Sequence, residues 1–152
     1  MLDTAIHDID AINYLVSSEV DNVYGTGGRL IHEKNEDHIN AIMNYKNGVI
    51  ATIESNWLMP LKERKLGIVT DKVFVSLDYM NQSIEVAKFG AEIENYNVKK
   101  SEPLKLEVKD FLTSIINKSS PLVTAASALK NLQLANLIQT SINQNKVKYK
   151  ND

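Results

Sequence analysis

The hydrophobic period of this chain changes twice, and those two changes limit the available folds more than any other feature. Residues 2–16, LDTAIHDIDAINYLV, place Leu2, Ala5, Ile6, Ile9, Ile12 and Val16 on one face at about 100° per residue, which predicts an amphipathic helix. From about residue 19 to residue 98 the period becomes two. Ile39, Ala41, Met43 and Tyr45 alternate with His38, Asn40 and Asn44, and only Ile42 breaks the rule. Asn47-Gly48 is a hairpin signal, and the chain returns through Val49, Ala51, Ile53, Ser55 and Trp57. Further strands are expected over 64–70, from Val73 to Tyr79, from Ile84 to Lys88 and from Ile93 to Val98. The helical period then resumes. Pro103 suits a first turn, with Leu104, Val108, Phe111, Leu112 and Ile115 as the stripe. Ser119-Ser120-Pro121 interrupts, and Thr124 is placed to cap a last helix that turns Ala128, Leu132, Ala135, Ile138 and Ile142 inward. The polar tail KVKYKND is expected to fray.

Turns this short join antiparallel strands, because parallel ones need long crossovers. One apolar face per strand calls for helices on one side of the sheet. The expected fold is therefore α+β: an open, mostly antiparallel sheet of about six strands with helices on one face. With 152 residues it fits one domain, 1–152. The open face would then need a cover, and Ile, Val and Trp side chains there would suit a homo-oligomer interface.

Composition removes several classes of function. The chain has no cysteine, so disulfides, thiolate zinc sites and cysteine nucleophiles are excluded. Seventeen basic residues against nineteen acidic ones give no support to nucleic-acid binding. No apolar run approaches the ~18 residues of a membrane span. The opening MLDTAIHDID carries acids where a signal peptide carries cations, so the expectation is a cytoplasmic protein.

The densest chemistry lies on the first helix. Asp3, His7, Asp10 and Tyr14 fall within a strip roughly 60° wide, away from the apolar face. A carboxylate one turn from an imidazole can orient it and favour its charged form, which suits a general acid–base. The same spacing also occurs on plain solvated helices. His7-Asp8 suggests a metal dyad, but His32 and His38 are the only other histidines and both fall in the strand region, so no metal site is expected. Gly25-Thr26-Gly27-Gly28 matches no phosphate-binding fingerprint and is expected to be a bulge or turn. Lys62 and Arg64, after Trp57 and Pro60, are candidate contacts for an anionic substrate.

The order Leu2-Asp3-Thr4-Ala5-Ile6-His7-Asp8-Ile9-Asp10, an antiparallel meander and two helices resembles the C-terminal domain of Gfo/Idh/MocA oxidoreductases, a glyceraldehyde-3-phosphate-dehydrogenase-like domain. Asn56-Trp57-Leu58-Met59-Pro60, Lys62, Arg64-Lys65-Leu66 and Leu77-Asp78-Tyr79 with Gln82 are similar to segments of its sugar-nucleotide branch, the UDP-N-acetylglucosamine 3-dehydrogenase type. The resemblance implies the substrate-binding and oligomerisation half of an NAD- or NADP-dependent enzyme that oxidises a hydroxyl of a sugar or sugar nucleotide. Asp3 and His7 match the family's D-x-x-x-H pair, which implies His7 as the acid–base and Asp3 as its orienting partner. Asp10, Tyr14, Lys62 and Arg64 are then expected on the substrate. The family's Rossmann domain, which holds the dinucleotide and contributes a lysine from a Glu-Lys-Pro motif, has no counterpart here. This chain alone is expected to bind no cofactor and to transfer no hydride. The alternative is a stand-alone, non-catalytic dimerisation module, in which the Asp3–His7 strip would be dispensable.

Overall fold

A computed structural model describes residues 2–150, with side chains from Thr4 onward. The chain divides into two compact units. One is built from the residues up to Met59 and from Val123 on, the other from Pro60–Leu122. The α+β class and the antiparallel pairing stand. Among the described residues, however, the strands number eight and are shared between two four-stranded sheets instead of one sheet of about six.

The first unit opens with α1 (Leu2–Leu15). Strands β1 (Val20–Gly28), β2 (His38–Tyr45) and β3 (Ile50–Asn56) follow, then α3 (Ala125–Gln144) and a two-residue β8 (Lys148–Tyr149). Its sheet runs β3-β2-β1-β8, all antiparallel. The β2–β3 hairpin turns at Asn47-Gly48, where Gly48 takes φ +86° and Gly48 N donates to Tyr45 O. Helix α3 lies on β1, and α1 lies on β3 and on α3. Of the expected core, Ala5, Ile9, Ile12, Ile39, Ala41, Met43, Tyr45, Ile53, Ala135 and Ile138 are buried and Val23 joins them, while Ile6 and Val16 are half-buried.

Three expectations are corrected in this unit. Gly25-Thr26-Gly27-Gly28 is no turn; it is the straight end of β1, in register with Ala41, Asn40, Ile39 and His38. Its glycines serve close approach. A Cβ on Gly25 would stand 2.9 Å from Ile142 Cγ1 and 3.0 Å from Ile138 O, and one on Gly28 would meet the His38 ring. The tail does not fray at 148–149, because β8 pairs with Asn22 and Val23 of β1. Helix α3 is rotated from its expected stripe: Ala128 and Leu132 are exposed, and Asn131, Leu134, Ala135, Ile138 and Ser141 face inward. Asn131 is drawn inside by hydrogen bonds to α1, described below. Thr124 caps α3 as expected, its hydroxyl accepting from Ser127 N while Ser127 Oγ accepts from Thr124 N.

The second unit contains β4 (Lys65–Val69), β5 (Val73–Asp78), β6 (Ser83–Lys88), β7 (Glu94–Asn97) and α2 (Pro103–Asn117), with the sheet in sequence order. Register places Leu66, Leu77 and Ile84 across from one another on one face, and Lys65, Asp78 and Ser83 on the other. Glu102 caps α2 by accepting from Leu104 N and Lys105 N, and Pro103 follows it where a missing N–H costs nothing. The apolar stripe of α2 is formed but uncovered: Leu104, Val108, Phe111, Leu112 and Ile115 are 48–63% exposed. Among the described residues no helix is long and apolar enough to cross a membrane.

Candidate functional site

Helix α1 presents two different surfaces at the expected strip. His7 and Tyr14 are exposed, Tyr14 by 74%. Asp3 stands on the first turn of the same helix, and its carboxylate lies outside the described residues. Asp10 is half-buried and already engaged: Asn131 Nδ2 of α3 donates to Asp10 Oδ1 at 2.6 Å. Asn131 Oδ1 accepts from Asn13 Nδ2 at 2.8 Å, and Asn13 Oδ1 accepts from Tyr45 Oη at 2.7 Å. Burial pushes the Tyr45 phenol up to about 12, so it stays a donor at neutral pH. This chain of amides fixes the rotation of α1 and leaves His7 outward.

A second histidine–aspartate pair, which sequence reading missed, closes the β1–β2 loop. Asp37 is fully buried, and its Oδ2 accepts from the backbone N–H groups of Leu30, Ile31 and His32 at 2.5, 2.6 and 3.2 Å. Its Oδ1 is paired with His32 Nδ1. These bonds, the Ile31 N–H foremost, hold the Asp37 carboxyl far below the usual carboxylate range against the opposing effect of burial. The backbone of Asp37 is tied as well: Asp37 N donates to Gly28 O and Trp57 N to Asp37 O. The only sequence signal was an aspartate at the end of a loop, placed to collect free N–H groups.

Trp57 was expected on the open sheet face. Instead its indole turns towards α1, where Nε1 donates to Thr4 Oγ1 at 3.1 Å, and its ring stands edge-to-face with His32 at 6.3 Å between centroids. Thr4 lies one helical turn before His7. His38 does not join this group. It opens β2 on the face opposite Ile39 and Met43, with Nδ1 buried and without a hydrogen-bond partner. Among the described residues no three His, Asp or Glu side chains gather as a metal site.

Lys62 and Arg64 belong to the second unit. Lys62 is exposed, and the Arg64 guanidinium lies over the Tyr79 ring at 5.0 Å, where Tyr79 N also donates to Arg64 O.

Residues 1–76, half of the chain, match the family model of the GFO/IDH/MocA C-terminal domain. Among curated proteins, the UDP-N-acetylglucosamine 3-dehydrogenase of Acidithiobacillus ferrooxidans is 25% identical over 124 residues, covering 76% of this chain and 39% of that protein. The solved structure of that enzyme superposes with TM-score 0.85 at 21% identity, covering 91% of this chain and 45% of its own. A levoglucosan dehydrogenase solved with NADH and levoglucosan superposes with TM-score 0.85 at 16% identity, covering 97% of this chain and 49% of its own. The chain thus spans less than half the length of these relatives.

Proposed function

Because the chain belongs to the GFO/IDH/MocA C-terminal domain family, we propose that it is the substrate-binding half of an NAD- or NADP-dependent oxidoreductase acting on a hydroxyl of a sugar or sugar nucleotide. The observation that carries this reading is His7, exposed on α1 one turn after Asp3 and held outward by the Asp10–Asn131–Asn13–Tyr45 network. In this reading His7 takes the proton of the reacting hydroxyl, and Asp3 steadies its ring. Tyr14 continues the strip as a substrate contact, while Asp10, taken by Asn131, serves to hold the helix. In the second unit, taken by itself, Lys62 and Arg64 are contacts for an anionic group.

The glycine run of this chain offers no cradle for a dinucleotide phosphate. The one glycine-rich run is strand β1, and the space a phosphate would need beside Gly25 and Gly28 is filled by Ile138, Ile142 and His38. Work on the cofactor belongs to a Rossmann domain of the complete enzyme, and this chain's share is binding substrate and moving its proton. The same reading places the enzyme in the cytoplasm as a homo-oligomer assembled through an open sheet face.

Calorimetry with UDP-N-acetylglucosamine and NAD, each titrated into the chain, tests the proposal. The expected result is heat from the sugar nucleotide, weakened at least tenfold in His7→Ala, and no heat from NAD. NAD binding, or a chain that binds neither ligand, would refute it, and the second result would leave the dimerisation module standing.

A further inference from the structure

The proposed proton transfer uses neither His32 nor Trp57, yet both are held more firmly than ordinary loop residues. The Asp37 carboxylate is charged at neutral pH and can only accept, so the hydrogen between it and His32 sits on Nδ1. The other ring nitrogen, Nε2, then carries a lone pair whenever the imidazole is neutral. The His32 side chain is 54% exposed, although its orienting carboxylate is entirely buried. That is the arrangement of a histidine prepared for an external partner.

Trp57 is fixed at both ends, its backbone N–H on Asp37 O and its indole Nε1 on Thr4, yet it is 56% exposed. A loop that wanted only an apolar anchor would bury the indole. Here a rigid aromatic surface stands beside a directed hydrogen-bond acceptor, with the two rings inclined at 73°. A pyranose matches that corner. Its C–H face is apolar and lies on an indole, while its hydroxyls point outward in the ring plane, where a perpendicular imidazole accepts them.

We infer that Trp57 and His32 form a subsite for a pyranose ring, with Trp57 as the platform, His32 Nε2 accepting a sugar hydroxyl, and Asp37 as the residue that positions His32. The ligand class rests on the proposed function above, and the subsite rests on the geometry of the first unit. Through Thr4, it adjoins the turn of α1 that precedes His7.

Trp57 is the only tryptophan, so its fluorescence reports on the subsite directly. The 152-residue chain is titrated with N-acetylglucosamine, UDP-N-acetylglucosamine and UDP. A saturable change with both sugars and none with UDP is expected. His32→Gln should weaken sugar binding about five- to tenfold, the worth of one hydrogen bond. Asp37→Asn should do the same with His32 intact, because the amide can donate to Nδ1 and move the ring hydrogen to Nε2. Nitrogen NMR of the imidazole reads that change of tautomer, which a merely structural role for Asp37 would not produce. Sugar-nucleotide heat in calorimetry with a silent Trp57, or undiminished affinity in His32→Gln, would overturn the subsite and leave the proposed function intact. No sugar binding by either method would overturn both.

Discussion

Replacing Asn131 by leucine tests the reading of the α1–α3 interface most directly. Asn131 is 5% exposed and makes two side-chain hydrogen bonds, donating to Asp10 at 2.6 Å and accepting from Asn13 at 2.8 Å. Leucine shares the branching of asparagine but is the larger side chain, so no cavity opens and any crowding only adds to the loss. The bond to the carboxylate is worth roughly 1.5–3 kcal/mol and the amide–amide bond about 1 kcal/mol. Burying leucine returns roughly 1–2 kcal/mol. The net loss is roughly 0.5–3 kcal/mol, or a melting point about 1–12 °C lower at roughly 2–4 °C per kcal/mol for a chain of this size. Urea and thermal unfolding measure it, and a cycle with Asp10→Ala should show a coupling of at least ~0.5 kcal/mol. A leucine variant as stable as the parent, with additive effects in the cycle, would show that the buried network does not hold α1 against α3.

Three more predictions concern separate parts of the first unit. The phenol of Tyr45 has its folded-state pKa raised to about 12, so the stability it contributes is complete below pH ~10 and is lost as pH rises through 12; tyrosinate absorbance follows this, and Tyr45→Phe should flatten the alkaline limb. The Asp37 carboxyl is depressed instead, so its contribution is present above the usual carboxylate range and fades as pH falls through and below that range; an acid titration of Trp57 fluorescence should show a transition that Asp37→Asn abolishes. Gly25→Ala puts a Cβ within 3.0 Å of Ile138 O, so α3 must shift from β1 at a cost of about 1–3 kcal/mol, read by urea unfolding; an unchanged midpoint would mean that the helix is not tightly seated there.

The candidate site was legible only in part. His7 and Tyr14 could be placed on an exposed helical strip because that judgement needs nothing beyond the 3.6-residue period. Asp10 shares the strip by angle but is claimed by Asn131, whose sequence separation of 121 residues leaves no trace in any local pattern. A buried asparagine also reads as a surface residue, which is why the inward face of α3 was expected at Leu132.

The sequence by itself determined the order and type of the elements apart from β1 and β8. The hydrophobic period, the Asn47-Gly48 turn, Pro103 at the start of α2 and the Thr124 cap are all set by neighbours within one helical turn or one hairpin. Tertiary structure alone decided how the strands are shared between two sheets and that Lys148–Tyr149 pairs with β1. It also decided that the glycine run is a strand pressed against α3, that Trp57 turns to Thr4, and that Asp37 gathers the loop around His32. Each of these depends on a partner that chain folding, not sequence proximity, brings within a few ångströms. A buried polar group takes whichever partner the packing offers, since leaving it unpaired costs more than any local preference returns.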